Sequence, residues 1–154
     1  MSKGKLASLM AQAVSETIEN LAFLEVTPSP TGPEADESCL WVDMLVHDPV
    51  QGEFRLTLPA ALLGQIGEAL FGTPAAEIPE ASQLDLLAEL LNTIAGRFLS
   101  EILPPETSFK LGLPALVHSQ FQKEAVGIAW NFKAAGLVFS LSVSGESLLH
   151  LCQD

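Results

Sequence analysis

Leu6, Leu9, Met10, Ala13, Val14, Ile18, Leu21 and Ala22 return every three or four places along the first part of the chain. That period buries one side of a helix and predicts one over about 5–24. The stretch TPSPTGPEADE that follows holds three prolines, a glycine and three acidic residues, and reads as an exposed loop. The pattern then changes period. Leu40, Val42, Met44 and Val46 alternate with their neighbours, as do Phe54, Leu56 and Leu58, and DPVQG between the runs predicts a hairpin. AALLGQIGEALFG is a short amphipathic helix that Gly72 and Pro74 stop, and TPAAEIPEA is a hinge. Ser82 with Asp85 has the form of a capping box, which predicts that the main helix opens there and runs to about Leu103, where Pro104 and Pro105 end it. Three more strand patterns follow: ALVHSQF, AVGIAWNFK and GLVFSLSV.

The order of helix, then paired strands, occurs twice, which predicts one domain over 1–154 with diverged internal halves of about 1–73 and 80–150. The expected fold class is α+β: a pseudo-repeat of helix plus antiparallel hairpin, giving an about six-stranded, mainly antiparallel sheet covered by long helices. With 154 residues, 48% of them apolar and 17% charged, the chain has the make-up of one folded domain and not of a disordered segment. A formal charge of −12 repels phosphate backbones and anionic lipid, which argues against nucleic acid as a partner. Cys39 and Cys152 match no zinc or redox spacing and read as reduced thiols of a cytoplasmic protein. No stretch has the apolar length of about 18 residues that a membrane span needs, and Gln12, Ser15 and Glu16 interrupt any signal-peptide core.

The main helix carries the chemistry. Leu84, Leu87, Leu91, Ile94, Phe98 and Ile102 fall on one stripe, while Asp85, Glu89, Asn92 and Gly96 fall roughly opposite it. Asparagine inside a helix costs a few tenths of a kcal/mol against alanine, because its amide competes for backbone hydrogen bonds. Something outside the helix is therefore expected to read it.

In the form [DS]xxxExxN, Asp85, Glu89 and Asn92 with a later proline, Pro114, resemble the signature of the CheC/CheX/FliY phosphatases of bacterial chemotaxis. Pro114 comes one residue earlier than the family spacing. NTIAG after the glutamate and TIENLAF in the first helix look most like the CheX branch, and the likeness of layout covers nearly the whole chain. The first helix, set under the second, aligns Ser8 with Asp85, Gln12 with Glu89 and Ser15 with Asn92, so the first copy of the motif is degenerate and one active face per chain is expected.

The resemblance implies hydrolysis of the aspartyl phosphate on a CheY-type receiver domain. Asn92 would orient the attacking water and Glu89 would pair with the receiver's lysine. Asp85 and Gly96 would support or touch the partner, Gly96 by letting a receiver loop approach closely. It implies no cofactor of the chain's own, Mg²⁺ on the partner receiver, and a homodimer joined through sheet edges. The alternative function is a non-catalytic module of the same fold that binds a receiver or the flagellar switch. Each residue also has a plain structural reading: Asp85 a capping acid, Glu89 and Asn92 solvated surface positions, Gly96 a helix packing contact, Pro114 a strand opener. His47, His118 and His150 lack ligand spacing, and Trp41 and Trp130 read as sheet anchors.

Overall fold

The computed structural model describes residues 3–33, 38–48, 51–113, 115–117, 127–145 and 148. Helix α1 spans Lys3–Ala22 and is followed by the two-residue strand β1, Thr27–Pro28. The hairpin strands β2, Cys39–Asp48, and β3, Gly52–Pro59, lead into α2, Ala60–Phe71. Gly72 closes α2 in the left-handed region, φ 71°, and its N–H donates to the Glu68 carbonyl, as glycine after a helix commonly does. A 3-10 turn at Ala75–Glu77 precedes α3, Glu80–Ile102. Short strands β4, Lys110–Leu111, and β5, Ala115–Val117, then give way to the second hairpin, β6, Gly127–Ala134, and β7, Leu137–Ser144.

The strands form one antiparallel sheet in the order β1-β6-β7-β3-β2-β4, with β5 also paired to β2. It is thus six positions wide, because β4 and β5 share one flank of β2. Each hairpin borrows its outer neighbour from the other half: β1 flanks β6, while β4 and β5 flank β2. Exchanging the halves therefore reproduces the same order read from the opposite edge.

Alternation places one face of the sheet under the helices. Val42, Met44, Val46, Phe54, Leu56, Leu58, Phe132, Phe139, Leu141 and Val143 are buried there against Met10, Val14 and Ile18 of α1 and the inner face of α3. Phe98 of α3 sits between Phe54, with ring centres 6.0 Å apart and edge-on, and Trp130, 6.2 Å away. This contact pins α3 to both hairpins, and it makes Trp130 the core-facing anchor that the pattern predicted. On the opposite face, Asp43 and Arg55 make a two-pronged ion pair across β2 and β3, with Glu53 3.9 Å from the same guanidinium.

Three expectations need correction. Ser82 does not cap α3: the helix begins at Glu80 behind Pro79, and the Ser82 N–H already donates to the Pro79 carbonyl. A proline ring clashes with a preceding helical turn, so the helix does not run back through Pro79; with φ −57° and an extended ψ of 144° Pro79 is the residue before the helix, and Asp85 lies beyond the first turn. The capping-box reading of Asp85 fails with it. The first helix also ends earlier than its periodicity suggests, because Phe23 adopts φ 58° and returns its N–H to the Glu19 carbonyl. The loop predicted after it is not wholly irregular, since Thr27 and Pro28 pair with Lys133 and Phe132.

Candidate functional site

The buried side of α3 is wider than one stripe. Leu86, Leu87, Leu90, Leu91, Ile94, Ala95, Phe98 and Leu99 are all buried, while Leu84 and Ile102 lie half-buried at its margins. A helix wedged between a neighbouring helix and a sheet must bury two adjacent rows, which leaves a narrow strip for polar residues. Asp85, Glu89 and Asn92 occupy that strip and are exposed; Gly96 is half-exposed. Glu89 accepts a hydrogen bond from the Thr93 hydroxyl one turn on, at 3.4 Å.

Gly96 is not a packing contact. Among the described residues, a Cβ placed on it would meet no heavy atom within 4 Å beyond its two chain neighbours and its own helix backbone, so none of them requires glycine here. The space in front of it belongs to a groove of about 380 Å³ between α1 and α3. Asn92, Thr93, Gly96 and Arg97 form one side, and Gln12 and Glu16 of α1 the other. Sequence reasoning singled out Asn92 and Gly96 but attached no role to Glu16 or Arg97. Their signal is the pairing itself, a contact between residues distant in sequence that no local pattern reveals.

Across the groove, Arg97 Nη1 lies 2.9 Å from Glu16 Oε2, and Gln12 Nε2 donates to the other Glu16 oxygen at 3.0 Å. The register that sets Ser8 on Asp85 also matches burial in the two helices. Met10 and Leu87, Ala13 and Leu90, Val14 and Leu91, Thr17 and Ile94, Ile18 and Ala95, and Ala22 and Leu99 are buried pair by pair. Gln12 stands where Glu89 stands, exposed and in contact with the residue one turn later. Ser15, the counterpart of Asn92, is half-buried and returns its hydroxyl to the Ala11 carbonyl. The first copy thus has the geometry of the second without its carboxylate and carboxamide.

Pro114, His118, His150 and Cys152 lie outside the described residues; His47 is exposed on β2. Among the described residues, no cluster of three or more His, Cys, Asp or Glu could hold a metal ion, and no helix is long and apolar enough to cross a membrane.

No curated protein is significantly similar to the chain in sequence. Solved structures are similar in fold. The chemotaxis protein CheX of Vibrio vulnificus matches with a TM-score of 0.73 at 14% identity, over 91% of this chain and 98% of that one. CheX of Desulfovibrio desulfuricans matches with a TM-score of 0.72 at 14% identity, over 92% and 99%. A chain of the CheX–CheY–BeF3–Mg²⁺ complex of Borrelia burgdorferi matches with a TM-score of 0.66 at 14% identity, over 89% and 95%. The sequence model of the chemotaxis phosphatase CheX matches residues 43–126, more than half of the chain and the whole of α3. The chain belongs to the CheX family of chemotaxis phosphatases.

Proposed function

We propose that the protein hydrolyses the aspartyl phosphate of a CheY-type receiver domain, with Asn92 as the residue that orients water. The observation that carries this reading is the exposed carboxamide of Asn92 at a groove whose next turn, Gly96, has open space where a side chain would stand. A receiver surface can approach α3 there without displacing anything. The Borrelia burgdorferi structure of this fold is a complex with CheY, which makes a receiver the natural partner.

An acyl phosphate is already activated. With Mg²⁺ and a lysine on the receiver to balance charge on the phosphoryl oxygens, hydrolysis lacks chiefly a water held in line with the phosphorus. The Asn92 carboxamide both donates and accepts, so it can hold such a water by two hydrogen bonds. Attack forms the new P–O bond as the bond to the aspartyl oxygen breaks; the carboxylate returns to the receiver and inorganic phosphate leaves. Glu89, one turn away, pairs with the receiver lysine and sets the docking register. The effect is orientation, not base catalysis.

The expected setting is cytoplasmic, and the expected assembly a homodimer through sheet edges. Among the described residues β1 pairs Thr27 and Pro28 with Lys133 and Phe132, and the Ser29 N–H donates to the Asn131 carbonyl, so a second copy would join the β6 edge over Gly127–Trp130.

The test is decay of aspartyl phosphate on a Mg²⁺-loaded CheY-type receiver. Asn92→Ala is expected to lose about a hundredfold or more in turnover while melting as wild type does. Glu89→Ala is expected to raise KM as well as slow decay. A folded Asn92→Ala that turns over at the wild-type rate refutes the mechanism.

A further inference from the structure

The groove beside Asn92 has two walls, and only one comes from the helix that bears the motif. Gln12, Glu16 and Arg97 make a chain of hydrogen bonds across its mouth. Arg97 and Glu16 side chains are 40% and 46% exposed, and an ion pair so open to water adds little to folding. Among the described residues that line the groove, Arg97 is nevertheless the one cation, in a chain of net charge −12. Its Nη1 is engaged by Glu16, while Nε and Nη2 make no hydrogen bond within the described residues. A guanidinium held by one prong keeps a planar edge for a second ligand, and the ligand that fits such an edge best is a carboxylate.

Resting on the phosphatase reading, we propose that Arg97 is a second contact for the receiver, taking a carboxylate on the rim of its phosphorylation site. Glu16 and Gln12 are positioning residues that hold the guanidinium. The chemistry of the partner supplies the match: a phosphoacceptor site that holds Mg²⁺ does so through carboxylates beside the phosphoryl group. A loop that delivers that group to Asn92 along the groove must also pass Arg97, since both line it and Gly96 between them is bare. The degenerate motif of α1 thus has a use. Gln12, the counterpart of Glu89, braces the carboxylate that aims Arg97.

The experiment measures binding of CheY-type receivers charged with Mg²⁺ and beryllofluoride by titration calorimetry, across the receivers of the same genome. Steady-state dephosphorylation and thermal melting run in parallel on wild type, Arg97→Ala, Arg97→Lys and Glu16→Ala. Arg97→Ala is expected to weaken binding and raise KM roughly tenfold, the worth of one charge-assisted hydrogen bond, with kcat changed less than about twofold. It should also flatten the salt dependence of binding. Arg97→Lys should recover part of the loss, and Glu16→Ala should fall between. Unchanged affinity and salt dependence in Arg97→Ala overturn the proposal. So does a loss that follows a lowered melting temperature, which would make the pair structural. Wild-type binding without turnover retires the phosphatase reading, yet leaves Arg97 to be judged on affinity. Failure of wild type to bind any receiver overturns both.

Discussion

Gly96 separates what the chain needs from what a partner needs. Glycine in a helix interior costs roughly 0.5–1 kcal/mol against alanine, and nothing among the described residues occupies the space its Cβ would take. Gly96→Ala is therefore expected to raise stability by about that amount in denaturant unfolding, and at the same time to raise KM for the phosphorylated receiver. Equal KM with higher stability would mean that the partner does not approach α3 at this turn. Of the site, the polar strip Asp85, Glu89, Asn92 and Gly96 was legible from spacing, because on a helix with two buried rows a polar side chain has few places to go. Glu16 and Arg97 were not. In sequence each is an ordinary surface charge, and only the packing of α1 beside α3 joins them.

At the scale of elements, the start of α3 shows how a backbone constraint outranks a side-chain cap. Ser82 has the capping-box spacing, but Pro79 cannot continue a helix backwards and fixes the boundary three residues earlier. The preceding turn is instead tied by Gln83, whose amide donates to the carbonyls of Ala75 and Ile78 at 3.2 and 3.1 Å. Ser82→Ala, inside the helix, is expected to be neutral or slightly stabilising rather than to cost the ~1 kcal/mol of a lost cap. Gln83→Ala, which takes the side-chain donor from the Ile78 carbonyl while the Ala75 carbonyl keeps the Ile78 N–H, is expected to destabilise by about 1 kcal/mol. Unfolding curves of the pair decide between the two accounts. Long elements were legible because their periods repeat; β1 and β4, two residues each, hold no period and exist only through Lys133, Phe132, Val46 and Asp48 opposite them.

For the whole molecule, the fold separates its stability from its chemistry by face. Helices α1 and α3 carry the groove on one side, while the far side of the sheet is stitched by Asp43 and Arg55 on β2 and β3. The two long hairpins were legible from alternation, but the exchange of their outer strands was not, since it depends on where β1 and β5 return to the sheet. That exchange ties the halves into one sheet, so a loss on the far face should unfold the molecule as a unit and leave the groove intact until it does. The Asp43 and Arg55 side chains are only 18% and 11% exposed, enough to make loss of the two-pronged pairing costly there. Glu53, 3.9 Å away, can take part of the charge when Asp43 is removed, which moderates the loss. Asp43→Ala is thus expected to lower stability by about 2 kcal/mol in a single cooperative transition, below the ~3–5 kcal/mol of a fully buried pair, with kcat and KM unchanged at temperatures where the protein stays folded. Two transitions would show that the halves melt separately, and a change in KM would show that the sheet transmits strain to the helices above it.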